Sequence, residues 1–251
     1  MIQIIPLRGM PEIAPRCDLP ALLAEALARD DVSVRADDIL VITSKIISKT
    51  ENCFVRLDDV KPSAEALALA ETVKKDARLV QLVLDESTAI IRTAPNVLIV
   101  RHRLGHVMAN AGIDASNLGG GSDERVLLLP IDPDSSARGL SEGIGAICDA
   151  APAVVISDSF GRPWRYGVVN VAVGAHGVES LIDRRGEHDR DGRVLQVTQV
   201  ALADLLASAS GLACGEGAEG VPAALIRGYK HTGSVKPASA LIRPVHEDLF
   251  K

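Results

Sequence analysis

The sequence predicts an α+β fold, on three observations. Strand-like apolar runs such as "MIQIIPL", "DDILVITSKII" and "PAVVISDS" are mixed with Ala/Leu-rich stretches at helical spacing. The two kinds do not alternate strictly, as a parallel βαβ fold would require, and mixed sheets with flanking helices are expected instead. Finally, 47% apolar and 24% charged residues over 251 positions suit a globular chain with a substantial core.

In chain order, "MIQIIPL" opens as a strand, "DLPALLAEALARDD" is a capped helix, and "DDILVITSKII" is a buried strand running into a helical turn. "KPSAEALALAETVKKDARLVQLVLDES" reads as one or two helices, with Ser63 after Pro62 as N-cap. "NVLIVRHRLGHVMANAG" suggests two strands joined around Arg103-Leu104-Gly105. "SNLGGGSDERV" is a glycine-rich loop, and "VLLLPIDPDSSARGLSEGIGAI" is strand, Asp/Pro turn and helix. "PAVVISDS" is a strand ending at Asp158, and "GRVLQVTQVAL" passes from strand into the helix of "QVALADLLASASGLA". "PAALIRG" is the last strand. Composition shifts near Pro95 and within "DRRGEHDRDGR" divide the chain into a discontinuous main domain, residues 1–94 and 190–251, and an inserted domain, residues 95–189.

Several classes are disfavoured. No apolar run approaches the roughly eighteen residues of a membrane span, and the start lacks a basic segment followed by a long apolar one, so a cytoplasmic protein without a membrane partner is expected. A net charge of −6 with no Lys/Arg block argues against nucleic acid. Cys17, Cys53, Cys148 and Cys214 have no CxxC spacing and read as reduced thiols. His102 and His106 share an i,i+4 spacing but fall in the proposed hairpin, where a solvated surface pair is expected.

"CGEGAEGVPAALIRG" contains a literal GxGxxG match, Gly215 to Gly220. The dinucleotide fingerprint works only where a strand enters it and a helix leaves it. Here the helix precedes and the strand follows, so the Rossmann mechanism is lost. Closely spaced glycines can instead form a backbone nest for phosphate oxygens. Two glutamates there would repel phosphate unless a divalent cation bridges them, which makes Glu216 or Glu219 a ligand candidate. Asp114 in "NAGIDASN" and Asp158 in "VVISDSFGR" also close apolar segments, with Ser116 and Ser159 nearby. Each alone suits a turn or cap; together they are the hard oxygen donors that magnesium and manganese prefer. Lys45 and Lys49 in "TSKIISK" share a helical face, either as phosphate partners or as a solvated edge. "SDSFGRPWRYG" interleaves Phe160, Trp164 and Tyr166 with Arg162 and Arg165, which fits either a ligand with an anionic tail or a local anchor with Arg stacked on Trp.

The segments "IPLRGMP", "VITSKIISKTE", "VLDES", "NAGIDASN", "LLLPIDPDSSA", "SDSFGRPWRYG", "DGRVLQVT" and "GEGAEGVPAALIRG" resemble, in order over nearly the whole chain, the coenzyme F420-0 γ-glutamyl ligase family. The resemblance implies a two-domain α+β fold peculiar to that family, working as an intertwined homodimer. It implies a GTP-dependent ligase that adds L-glutamate through an amide bond to a deazaflavin precursor by way of an acyl phosphate. Two divalent cations, Mg2+ or Mn2+, and K+ come with it. Matched position by position, Asp114, Asp158, Ser159 and Glu216 are metal ligands, and Lys49, Asp114 and Asp158 are catalytic. Leu7, Arg8, Gly9, Met10, Ser44, Lys45, Lys49, Asn117, Cys214, Gly215, Glu216, Gly217, Ala218, Glu219, Gly220 and Val221 are nucleotide contacts. Arg162, Trp164 and Arg165 are assigned to the acceptor. The chain departs from the family pattern at Leu205, where an acid is expected after Asp204, and the stand-alone ligase form is expected. The alternatives are the same ligation on another acceptor carboxylate, or a non-catalytic nucleotide- or deazaflavin-binding protein.

Overall fold

The computed structural model describes residues 1–116, 118, 124–230 and 233–249. Its largest sheet has five strands: β1 (Gln3–Pro6), β2 (Ile39–Thr43), β8 (Ala153–Arg162), β9 (Arg165–His176) and β12 (Ala223–Arg227). They lie in the order β1-β12-β2-β8-β9, and only β2 and β8 run parallel. Helices cover both faces, which is why "ILVIT" and "AALIR" are unbroken apolar runs rather than alternating ones. On one face α1 (Leu19–Arg29), α2 (Ser44–Thr50) and α5 (Pro133–Cys148) close over Leu40, Ile42, Val154, Ile156 and Leu225. On the other, α6 (Leu202–Cys214) packs on Ile39, Val41, Val155, Ala172 and Ile226.

A second, smaller core is built from α3 (Ala64–Val73), α4 (Ala77–Asp85) and a sheet of β4 (Ser87–Ala94), β5 (Val97–His102) and β6 (Val107–Ala109). Beside it β3 (Phe54–Arg56) pairs with β7 (Arg125–Leu127), and farther on β10 (Leu181–Asp183) pairs with β11 (Gln199–Ala201). The helix starts follow local chemistry: Asp18, Ser63 and Asp76 each accept a hydrogen bond from an otherwise unpaired first-turn N–H, from Ala21, Ala66 and Arg78 respectively. Among the described residues no helix is long and apolar enough to cross a membrane.

The cores divide the chain differently from the expected boundaries at 95 and 189. β8 and β9, expected in the insert, form the centre and edge of the main sheet, whereas residues 66–113 supply the second core. The apolar packing of α3 and α4 on β5 decides this, not the composition shift near Pro95. β8 also continues past Asp158 to Arg162.

The two histidines are not a solvated pair. His102 is fully buried and His106 is nearly so. The turn between β5 and β6 is covered by the C-terminal segment, whose Ile242 side chain lies where a Cβ on Gly105 would sit, and His106 meets Phe160 edge to face at 5.6 Å. Leu104 N donates to His102 Nδ1, and His102 Nε2 lies 3.3 Å from the Glu86 carboxylate.

Candidate functional site

The site forms where β2 runs straight into α2. Ser44, in the first turn of α2 and buried, donates from Oγ to Asp158 Oδ1 on the neighbouring strand β8 at 2.8 Å. Lys45 reaches across to a different segment: its Nζ lies 2.7 Å from Asp114 Oδ2 and also donates to the Ser116 carbonyl and hydroxyl. Asp114 is held by its backbone, which exchanges both hydrogen bonds with Leu127 at 3.0 and 2.8 Å. Just before it, Asn110, Ala111 and Gly112 all have positive φ (51°, 53° and 68°). A left-handed conformation costs a residue with a Cβ about 1–2 kcal/mol, so this turn stores strain immediately ahead of Asp114.

Electrostatics separates the two aspartates. Burial pushes the Asp158 carboxyl up to about 6, and the Asp114 charge adds to this, while hydrogen bonds from Ser44 and the Ser159 N–H and the charge of Lys45 oppose it. Burial acts upward on Asp114 too, but the Lys45 and Ser116 hydrogen bonds outweigh it and hold that carboxyl below its ordinary value.

Successive side chains of a strand face opposite ways. Asp158 accordingly turns to α2, and Ser159 turns to the other side, where its Oγ donates to Glu216 Oε2 at 2.6 Å. The four proposed metal ligands therefore fall into two pairs, Asp114 with Asp158 and Ser159 with Glu216. Among the described residues, no three His, Cys, Asp or Glu side chains gather around one point as a metal cluster. Each pair offers two hard oxygen donors, which fits a magnesium or manganese ion that takes its remaining ligands from phosphate and water.

The glycine stretch joins α6 to β12, in the order helix then strand. Cys214 and Val221 are buried at its base against Ala224, and burial, together with the Glu216 charge, pushes the Cys214 thiol up to about 11, so it stays protonated at neutral pH. The loop between them is partly or fully exposed. Glu219 folds back into it, accepting from Gly217 N–H at 2.7 Å. Its carboxylate lies so close to Gly215 that an added Cβ there would come within 2.3 Å of Glu219 Cδ, and Gly215 also has φ +71°.

The other proposed nucleotide contacts are spread around α2. Lys49 is buried, and its ammonium is paired with the exposed Glu12. Leu7 is a core residue whose N–H donates to the Ala223 carbonyl, Met10 packs against the same core, Arg8 is exposed, and Gly9 accepts from Arg29 Nη1 at 2.8 Å. Leu7 can therefore meet a ligand only through its backbone. Asn117 lies outside the described residues. Arg162, Trp164 and Arg165 stand at the turn of the β8–β9 hairpin, where Trp164 is 77% exposed and Arg162 donates to the Tyr166 carbonyl. Glu12, Asn170 and Gly211 were not singled out from the sequence. Folding the hairpin about Pro163-Trp164 would set Ser159 opposite Val168; a register shift between Gly161 and Arg162 moves its partner to Asn170, which the sequence does not show, and nothing in the sequence marks Glu12.

Comparison with known proteins adds an independent line. Residues 9–228 match the family described as F420-0:Gamma-glutamyl ligase. A protein of Methanothermobacter thermautotrophicus named Coenzyme F420:L-glutamate ligase is 42% identical over 255 residues, covering 100% of this chain and 99% of that protein. Proteins with the same name from Methanopyrus kandleri and Archaeoglobus fulgidus are 41% and 38% identical, each spanning 100% of this chain and 97% and 96% of their own lengths.

Proposed function

Because the chain belongs to the F420-0:γ-glutamyl ligase family, we propose that it joins L-glutamate by an amide bond to the carboxylate of coenzyme F420-0, with GTP as phosphoryl donor. The observation that carries the reading is the meeting, around the middle of β8, of the Asp114/Asp158 pair, the Ser159/Glu216 pair and Lys45. Such a density of oxygen donors beside an ammonium and a glycine loop suits an anionic substrate bridged by cations.

In the proposed reaction an oxygen of the acceptor carboxylate attacks the γ-phosphorus, the bond to the β-phosphate oxygen breaks, and GDP departs. The α-amine of glutamate then attacks the acyl carbon and loses a proton, the bond to phosphate breaks, and amide and inorganic phosphate remain. Two divalent ions would neutralise phosphate charge as it shifts. Asp114 with Asp158 and Ser159 with Glu216 would hold them. Ser44 keeps the Asp158 carboxylate turned to the α2 side. Lys45 fixes Asp114, and Lys49, once its ammonium exchanges Glu12 for phosphate, offsets the charge of the donor. The Gly217 N–H would turn to phosphate once the Glu219 carboxylate that now accepts it swings out, while the Gly215 N–H stays paired with the Gly211 carbonyl. Arg162 and Arg165 are assigned to the anionic tail of the acceptor, with Trp164 alongside. Potassium is carried over as a stimulating ion from the resemblance alone.

A homodimer belongs to the same reading, supported by the β8–β9 hairpin, whose far end exposes Trp164, Tyr166 and Val168. The decisive test is mass spectrometry of F420-0 after incubation with GTP, Mn2+ and L-glutamate, with GDP and phosphate measured in parallel. Added glutamyl units are expected with GTP and few with ATP. GTP hydrolysis without acceptor modification, or an equal rate with ATP, refutes the corresponding part of the proposal.

A further inference from the structure

We infer that Asn170 is a positioning residue for Ser159, and that Gly211 of α6 is glycine because the Asn170 amide occupies the space where a side chain would begin. The inference rests on the cation reading of Ser159 and Glu216 given above.

Asn170 lies directly across the β8–β9 ladder from Ser159 and is 8% exposed. Its Nδ2 donates to Ser159 Oγ at 3.4 Å, and its backbone carbonyl accepts from Ser208 Oγ on α6 at 2.7 Å. A Cβ built on Gly211 would stand 2.1 Å from Asn170 Oδ1, a distance no real contact tolerates. The strand and the helix thus clamp the amide from two sides.

The consequence for Ser159 follows from its hydrogen-bonding capacity. A hydroxyl has one proton and two lone pairs. An amide N–H can only donate, so it engages one lone pair and leaves the proton to go to Glu216. The second lone pair then has a fixed direction and is available to a cation. Without Asn170 the rotor is held from the Glu216 side alone. Partners one step behind a metal ligand commonly change affinity by 10–100-fold when removed.

The test is Mn2+ titration of the metal-free full-length chain, with circular dichroism as a check on folding. Wild type is expected to show two classes of site, with Glu216→Gln losing one and Asp114→Asn losing the other. Asn170→Ala should weaken the Glu216 class at least tenfold and leave the Asp114 class within twofold. Gly211→Ala should do the same, although alanine is the better helix former. Ser208→Ala removes a hydrogen bond to the same residue without touching the amide and should leave both classes within twofold. If Glu216→Gln changes nothing, the cation reading itself fails. If Glu216→Gln loses its class while folded Asn170→Ala or Gly211→Ala keeps it, or Ser208→Ala loses as much, the positioning role is overturned.

Discussion

His106 offers a prediction in which magnitude and sign both follow from the structure. Burial, reinforced by neighbouring His102 and only partly opposed by Asp134, pushes its pKa down from 6.5 to about 4. The folded chain therefore keeps the ring neutral, while the unfolded chain protonates it near its ordinary value. The stability this contributes is present in full above pH 6.5 and is lost as pH falls from there toward 4. A full shift of this size corresponds to roughly 3 kcal/mol, and the part lost between pH 7.5 and pH 5 is about 2 kcal/mol. His106→Phe keeps an aromatic ring beside Phe160 and removes the proton site. Urea unfolding of wild type and variant at the two pH values, at equal ionic strength and with metals chelated, reads the His106 contribution together with its coupling to His102 and Asp134, the remaining titrating groups being shared. Wild type should lose about 2 kcal/mol more than the variant, or about 4–8 °C in Tm. Equal losses would refute the assignment of acid sensitivity to this buried ring.

Glu12→Gln frees the buried Lys49 ammonium from its carboxylate partner and should tighten GTP binding severalfold, whereas Lys49→Met should nearly abolish it; weaker binding by Glu12→Gln in calorimetry contradicts the exchange of partners proposed for Lys49. Gly215→Ala places a methyl against the Glu219 carboxylate at a residue with φ 71° and ψ −179°, a region essentially restricted to glycine, and should cost about 1–3 kcal/mol by denaturant unfolding together with most nucleotide affinity; a variant of unchanged stability would mean that the loop rearranges freely. Glu216→Gln should nearly eliminate Mn2+-dependent turnover, while Glu219→Gln, which retains an oxygen to accept from Gly217, should keep turnover within threefold; similar mild effects at both positions would make the loop only a turn. Arg162→Ala should raise the acceptor KM more than it alters GTP binding, and an unchanged KM and kcat would leave Arg162 as a brace for the Tyr166 carbonyl.

What could be read from the sequence was whatever is decided locally. Asp18 and Ser63 act as caps because the first-turn N–H groups they satisfy lie three residues away. The strand runs around Ile39 and Ala223 are apolar throughout because both faces of their sheet are covered. The reversed order of helix and strand around Gly215 was equally legible and removed the dinucleotide reading. Contacts between distant segments were not legible. Nothing near Lys49 points to Glu12, and nothing near His102 and His106 announces that residues around Ile242 cover their turn. Solvation of that histidine pair was the reasonable expectation for a hairpin taken alone, and tertiary cover reversed it. The division of the chain failed for a related reason: a composition shift near Pro95 cannot show that β8 pairs in parallel with β2, more than a hundred positions earlier in the chain.

The Asp158-Ser159 dipeptide shows how one strand boundary changes the chemistry. With β8 ending at Asp158, both residues would enter a loop and could turn toward a single ion. With β8 continuing to Arg162, the alternation of a strand forbids this: Asp158 must face α2 and Asp114, and Ser159 must face Asn170 and Glu216. Two adjacent residues then face opposite sides of one strand, held at a fixed distance by a backbone that is paired with β9 at both positions. The two side chains are thereby fixed relative to each other, since moving one without the other would require breaking the ladder. The arrangement also explains why the two faces use different supports. Asp158 relies on Ser44 from a helix start, and Ser159 relies on an amide across the hairpin, so a substitution behind one face should leave the hydrogen bonds of the other face in place.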